Sequence, residues 1–190
     1  SSVLTLSGAN TYTGGTTVAA GTLRVTNATG SATGPGAVTV NDGGTLLNEG
    51  SIAGAVTVNS GGAVRGSGTL SGAVTNHAGG ILSPGLDGTP GGTLTLGSLA
   101  WHGGGVLRIE VAPVDLLGAV AGVDYDRVAV NGALTSLPGG QKLRIVLDSL
   151  GENLPFDADA NYSLQLLSYG TAAGLDAADI PGGHVVRHPR

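Results

Sequence analysis

The chain has 190 residues, of which 36 are glycine, and its formal net charge is −5. Only 11% of its residues are charged and its mean hydropathy is +0.25, which excludes the composition of a polar disordered segment. The eight Lys and Arg residues form no basic stripe and no apolar run could span a membrane as a helix, so neither nucleic-acid binding nor membrane insertion of this segment is expected.

The first predicted element lies in residues 4–25, LTLSGANTYTGGTTVAAGTLRV. Short apolar runs alternate here with Gly and Thr, a pattern typical of short strands joined by tight turns. The only charged residue in the stretch is Arg24, which we expect to cap an exposed edge. No residue in it offers an obvious metal ligand, phosphate site or nucleophile.

A repeat follows, with a period of 18 residues. GAVTVNDGGTL (36–46), GAVTVNSGGAV (54–64) and GAVTNHAGGIL (72–82) align without gaps. Their first glycines, their double glycines and their closing Leu or Val residues all keep this spacing. The opening stretch is a variant of the same unit, because AGTLRV at 20–25 aligns with GGTLLN at 43–48.

Each repeat unit predicts a short strand, an Asn-x-Gly-Gly turn, a second short strand and a Gly- and Ser-rich corner. Val38, Val56 and Val74 fall in one column, so stacking of successive units would place Val on Val. A unit of this length cannot bury its apolar face alone, whereas a stack of units forms a continuous core. The sequence therefore predicts an all-β parallel β-helix, a β-solenoid, whose rungs run from about residue 3 to about residue 170.

The later chain repeats less regularly. GGGVLRIEV (103–111) and GGQKLRIVL (139–147) share Leu-Arg-Ile, which places Leu107 and Leu143 36 residues apart and predicts two rungs between them. Residues 112–125 interrupt the pattern and predict a loop or short helical excursion. Residues 148–180 hold many of the acidic residues and predict a segment that caps the end of the stack. Residues 181–190 predict a flexible tail.

The opening stretch resembles the passenger-associated transport repeat of bacterial autotransporters. GTLTLGSLAWHGGGVLRIEV, DYDRVAVNGALTSLPGGQKLRIVL and YSLQLLSYG are similar to the C-terminal end of pertactin-like passenger domains. Together these resemblances cover about residues 3–175. They imply a right-handed parallel β-helix of the type V secretion pathway, exported across the outer membrane to the bacterial cell surface, a setting linked to virulence and adhesion.

The resemblance also implies an organisation and partners. Residues 1–96 would form β-helix rungs, and residues 97–180 would form C-terminal rungs and an autochaperone-like cap. The expected function is a non-catalytic stalk and folding module that assists outer-membrane translocation and presents upstream regions. Its expected partner is the translocator β-barrel of the same precursor, and any signal peptide would lie upstream. The start SSVLTLSG shows no targeting signal.

Catalytic and metal-binding motifs are weak in this chain. His77 lies in the turn column of Asn41 and Asn59, and His102 precedes three glycines, so both predict turn residues; the two remaining histidines, His184 and His188, lie in the tail. DADAN at 157–161 begins like a calcium loop, but Tyr162 and Ser168 stand where that loop needs Gly and Glu. Lys142 is the only lysine, and no phosphate-loop motif includes it.

Asp124 and Asp126 are the strongest acid–base candidates, because two carboxylates at positions i and i+2 of a strand share a face. A local structural role with Arg127 or solvent as the partner is the favoured interpretation. We therefore expect no enzyme activity, no catalytic, cofactor-binding or metal residue, and no cofactor.

An alternative function is an adhesin or self-association module that binds host or neighbouring-cell surfaces. The loop at 112–125 and the Thr-rich ladders are the candidate contact regions, and end-to-end pairing of copies through an open first rung is also expected under this alternative. A third hypothesis, a secreted β-helix enzyme, would require a cleft with perturbed acids.

Overall fold

A computed structural model describes residues 2–112, 118–137, 144–149 and 164–173. Its regular elements are β-strands, and no helix occurs among the residues described. The strands are β1 Val3–Leu6, β2 Thr16–Val18, β3 Gly21–Val25, β4 Val38–Val40, β5 Gly44–Asn48, β6 Ser51–Ile52, β7 Val56–Val58, β8 Ala63–Gly66, β9 Thr69–Asn76, β10 Ile81–Pro84, β11 Thr93–His102, β12 Val106–Val111, β13 Arg127–Leu137, β14 Arg144–Ser149 and β15 Leu167–Ala173.

The strands form two parallel sheets between which the chain alternates. Sheet A has the order β1-β3-β5-β8-β10-β12-β14, and sheet B has the order β2-β4-β7-β9-β11-β13-β15, with β6 paired to β9. Apart from β6 and the strands at the ends of the two sheets, each strand therefore pairs with the strands of the preceding and following rungs. This is the strand arrangement of a parallel β-helix and confirms the predicted all-β class. The right hand of the winding stays a prediction.

The register confirms the columns predicted from the repeat. Val38 pairs with Val56 and Val56 with Val74 in sheet B. In sheet A, Leu46 pairs with Val64, which in turn pairs with Leu82. These side chains are fully buried between the sheets, and together with other Val, Leu and Ile residues they form one core along the stack. The opening stretch joins the same columns, because Leu23 pairs with Leu46.

The double glycines of the turns have two different structural reasons. Gly43 has a φ of 73°, a backbone conformation that residues with a Cβ rarely adopt. Gly44 lacks a positive φ, but a Cβ placed on it would lie 2.4 Å from the Val18 carbonyl oxygen of the preceding rung. The first glycine therefore supplies the turn conformation, and the second allows two rungs to approach.

Buried asparagines at the corners form hydrogen bonds between consecutive rungs. Asn27 Oδ1 accepts a hydrogen bond from the Ser51 amide at 2.9 Å, and Asn48 Nδ2 donates to the Thr69 carbonyl oxygen at 3.2 Å. Both side chains are almost completely buried. Because an unpaired polar group in the core is costly, these bonds to the following rung fix the position of each corner.

One register prediction was wrong. Leu107 pairs with Ile145, not with the Leu143 position, and β12 and β14 are adjacent strands of sheet A, so one rung separates them rather than two. This rung is long because residues 112–126 lie between β12 and β13. The period of 18 therefore does not extend into this part of the chain.

The division of the chain at residues 96 and 97 falls inside β11, at an irregularity of its register between Leu96 and Leu99. The proposed two-part organisation stays a prediction. The predicted cap at 148–180 lies mostly outside the described residues, and the predicted tail at 181–190 lies wholly outside them. No helix suited to spanning a membrane is found in the described part of the chain.

Candidate functional site

The charged side chains of the described rungs concentrate on the outer face of sheet A. Arg24 Nε lies 2.7 Å from Glu49 Oε2, and two further ion pairs join Arg65 to Asp87 and Arg108 to Asp148. Each acid lies one rung beyond its arginine. The pairs therefore bridge consecutive rungs, and Arg24, predicted to cap an edge, contacts the next rung instead.

Residues 85–92, here called loop 85–92, project from this face after β10. Gly66 and Gly85 exchange backbone hydrogen bonds at the start of the loop. At its tip, the Thr89 amide donates to the Leu86 carbonyl oxygen at 2.9 Å, which closes a tight turn. The tip is exposed, whereas Gly85 and Gly92 at the two ends are buried.

Two buried carboxylates hold this loop. Asp126 accepts hydrogen bonds from the Gly92 amide at 2.7 Å and from the Glu110 amide at 3.1 Å, and it is fully buried. The Glu110 carboxylate is 3% exposed and accepts from the amides of Gly88 at 2.9 Å and Thr89 at 3.2 Å. Asp126 therefore binds the base of the loop, and Glu110 binds its tip.

Burial raises the pKa of Asp126 to about 6, and the nearby Glu110 carboxylate adds to this rise. The amides of Gly92, Glu110 and Gly91 act in the opposite direction, because they stabilise the ionised form. The pKa of the neighbouring Arg65 guanidinium is lowered, first by burial and then by the positive charge of Arg108, while Glu110 opposes the change.

A shallow groove of about 360 Å³ lies beside the loop on the outer face of sheet A. Leu86 and Asp87 of the loop line this groove, together with Arg65 of β8 and Leu47 of β5. The Nε atom of Arg65 is buried and has no hydrogen-bond partner among the described residues. The lining of the groove thus combines the Arg65 guanidinium and the Asp87 carboxylate with Leu and Thr side chains.

The turns that lead from sheet B to sheet A carry a column of polar side chains. Asn59 Nδ2 donates to Asn41 Oδ1 at 2.8 Å, and the rings of His77 and His102 stack with centroids 4.4 Å apart. His77 directly follows β9 and begins a turn, as predicted, whereas His102 is the last residue of β11 and only its carbonyl group joins the turn that follows. The stacking of the two rings is a contact that the sequence did not suggest.

Asp124 and Asp126, the acid–base candidates predicted from the sequence, have separate partners in the structure. Asp124 Oδ2 accepts from the Val120 amide at 2.8 Å within its own turn, whereas Asp126 is buried under loop 85–92. The suggestion that Arg127 or solvent is the partner of Asp126 was wrong, because Asp126 binds backbone amides and Arg127 Nε donates to Thr93 Oγ1 at 3.3 Å.

The part of the chain that the structure describes contains no group of three His, Asp or Glu side chains placed to share a metal ion. Lys142, the DADAN segment at 157–161, His184 and His188 lie outside the described residues. Sequence reasoning did not single out Glu110 and loop 85–92. The only signals were the acidic residue in the strand VLRIEV at 106–111, which also holds Arg108, and the turn sequence LDGT at 86–89.

The alternating strands, the stacked columns and the rung-to-rung contacts define the class as a parallel β-helical repeat protein. A family model described as passenger-associated-transport-repeat matches residues 1–25. The match confirms the resemblance of the opening stretch to the repeat of autotransporter passengers. No curated protein matches the chain. The resemblance of the later segments to pertactin-like passenger domains stays a prediction.

Proposed function

We propose that this chain is a non-catalytic β-helical stalk and folding module of an exported autotransporter passenger. The observation that carries the proposal is the alternation of strands between two sheets, which begins in the matched repeat and continues to β15, with the short β6 as an additional strand of sheet B. Each rung offers its backbone donors and acceptors to the next rung, so formed rungs template the following ones. The passenger-type repeat at residues 1–25 supports export to the cell surface as part of this proposal.

The absence of catalysis is part of this proposal. Asp126 and Glu110 are engaged by backbone amides, and Asp124 binds within its own turn. A general acid or base needs a free position within hydrogen-bond reach of a substrate. These partners favour a structural role for the three acids over an acid–base role.

The experiment places the chain between a signal peptide and a translocator barrel and measures its appearance at the cell surface by protease accessibility. Val74→Asp puts a charge into the core, whereas Thr75→Asp puts the same charge on the outer side of the same strand. We expect Val74→Asp to slow surface appearance several-fold and Thr75→Asp to leave it unchanged, with equal amounts of assembled barrel. Equal export of both variants would contradict a folding role.

A second candidate function is end-to-end self-association. Val3 and Leu4 of β1 are 61% and 63% exposed, although Leu4 pairs with the buried Leu23 of the core column. One edge of β1 has no partner strand among the described residues. An apolar strand edge of this kind favours pairing with another chain.

A further inference from the structure

The base of loop 85–92 closes directly over Asp126. The two ends of the loop touch, since a Cβ placed on Gly92 would lie 2.2 Å from the Gly85 Cα atom. A Cβ placed on Gly85 would lie 2.8 Å from Asp126 Oδ1, the atom that accepts the Gly92 amide at 2.7 Å. Asp126 is therefore shielded from water by the loop that it binds, and opening of the base would return the carboxylate to solvent.

Other charges near Asp126 come from several elements. Glu110 on β12 lies close enough to raise the pKa of Asp126 and also holds the loop tip. The remaining charged groups around the loop belong to the neighbouring strands and to the loop itself: Arg65, Asp87, Arg108, Arg127 and Asp148. Arg65 and Arg108 are paired with Asp87 and Asp148, and Arg127 contacts Thr93, so Asp126 has no ion-pair partner among the described residues.

We propose that Asp126 and Glu110 form a proton-operated latch on loop 85–92, which closes more firmly in mild acid than at neutral pH. The direction follows from linkage between protonation and closure. The ends of the loop cover the Asp126 carboxylate, which is fully buried and has no cation beside it among the described residues. This burial raises the pKa of Asp126 from 3.8 to about 6 although the Gly92 and Gly91 amides oppose the rise, so the covered carboxylate binds a proton more tightly than one exposed to solvent. Protonation removes the cost of a buried charge and leaves one carboxyl oxygen to accept an amide hydrogen bond.

The latch also controls the groove beside the loop. Leu86 and Asp87 form its wall, and Asp87 pairs with Arg65. When the loop opens at neutral or higher pH, this wall moves away and the Arg65 guanidinium loses its carboxylate partner. The groove is therefore narrow and charge-paired in acid, and wider and more positive when Asp126 is ionised.

The experiment measures hydrogen exchange of the backbone amides of Gly88, Thr89 and Gly92 in the full chain at about pH 5 and about pH 7.5, as protection factors corrected for intrinsic exchange. With pKa values of about 6 closed and 3.8 open, protection should rise about tenfold at the lower pH. The amides of Val56 and Val58 in β7 serve as internal references.

Two matched variants distinguish the titration of Asp126 from a general effect of pH on hydrogen exchange. Asp126→Asn should abolish the pH dependence at Gly92, because the amide does not titrate in this range. Asp124→Asn, two residues away and bound within its own turn, should keep it. Equal protection at both pH values in the unmodified chain, or an unchanged pH dependence in Asp126→Asn, would overturn the proposal.

A measurement without substitution covers the case in which Asp126→Asn does not fold, as judged by circular dichroism. The carboxyl carbon of Asp126 is titrated by NMR in the unmodified chain. A midpoint well above 3.8, accompanied by shifts of the Gly92 and Glu110 amides, supports the latch. A midpoint near the ordinary value overturns it.

Discussion

Gly54 lies against the backbone of the preceding rung, so that a Cβ placed on it would be 2.0 Å from the Gly36 carbonyl oxygen. The same contact recurs along the stack, since Gly36 approaches Gly14 and Gly72 approaches Gly54 in this way. Gly36, Gly54 and Gly72 all lack a positive φ. Glycine is therefore required here by the distance between two backbones and not by the conformation of the chain.

Replacement of Gly54 by Ala should destabilise the protein. The added methyl group must displace a main-chain carbonyl, which cannot move as a flexible side chain can, so we expect a loss of about 1–3 kcal/mol in the free energy of unfolding. Gly8→Ala is the matched control, because nothing lies within 4 Å of its Cβ position. Denaturant unfolding of both variants provides the measurement, and equal stabilities would argue against close backbone packing at Gly54.

The structural role of Asp126 could not be predicted from the sequence. The sequence marks it only as one of two nearby acids, whereas the structure buries it under a loop that lies 34 residues earlier in the chain. Its pKa is raised, so its contribution to stability is fully present below 3.8 and is lost as the pH rises through about 6. This direction is opposite to that of an acid in an ion pair.

At the scale of elements, the three arginine–acid pairs link neighbouring strands of sheet A. Arg24 belongs to β3, and its partner Glu49 follows β5 directly. Both side chains retain some exposure, at 47% and 26%. Water and salt therefore screen the attraction, and the pair orients the strands more than it stabilises them.

A double-mutant cycle with Arg24→Met and Glu49→Gln measures this contribution. We expect a coupling free energy of about 0.2–1 kcal/mol that falls as salt is added. A coupling well above this range, or one that does not respond to salt, would show that the pair is more strongly desolvated than its exposure indicates. Tyr12→Phe, which removes a hydroxyl hydrogen-bonded to Thr16 within the first rung, is a control that should not couple to Glu49.

The sequence could predict the elements wherever the spacing between rungs is constant. The Val column and the turn glycines followed directly from the period of 18, because every rung repeats the same strand–turn–strand pattern. The pairing of Leu107 with Ile145 did not follow, because the length of the intervening corner is not encoded in that period. The contacts of Glu110 and Asp126 with loop 85–92 were equally hidden, since neither the loop nor the two acids recur in other rungs.

At the scale of the whole molecule, β1 differs from the strands inside the described stack, because it has a partner strand on one edge only. Leu4 occupies a core column yet is 63% exposed, whereas Leu23 beneath it is 5% exposed. A parallel strand from a second copy could continue both the column and the backbone hydrogen bonds. This favours association through the β1 edge.

Leu4→Lys tests this association by sedimentation velocity over a range of protein concentrations. We expect the unmodified chain to form larger species as its concentration rises and Leu4→Lys to remain monomeric, because the charge would have to be buried in the new core column. Leu86→Lys makes the same change at an exposed leucine of loop 85–92 and should associate normally. A monomeric unmodified chain, or equal association of both variants, would rule out the β1 edge as the contact.

Within each sheet the strands pair in chain order. The distance along the stack therefore depends on the number of strands and not on the number of residues between them. Val56 and Val74 pair across 18 residues, whereas Leu99 and Leu134 pair across 35, yet each step adds one strand spacing of about 4.8 Å. Sheet A, from β1 to β14, therefore measures about 29 Å along the stack. Residues inserted at a corner widen a rung without adding a strand spacing, so surface loops can be gained or lost while the distance between β1 and β14 stays fixed.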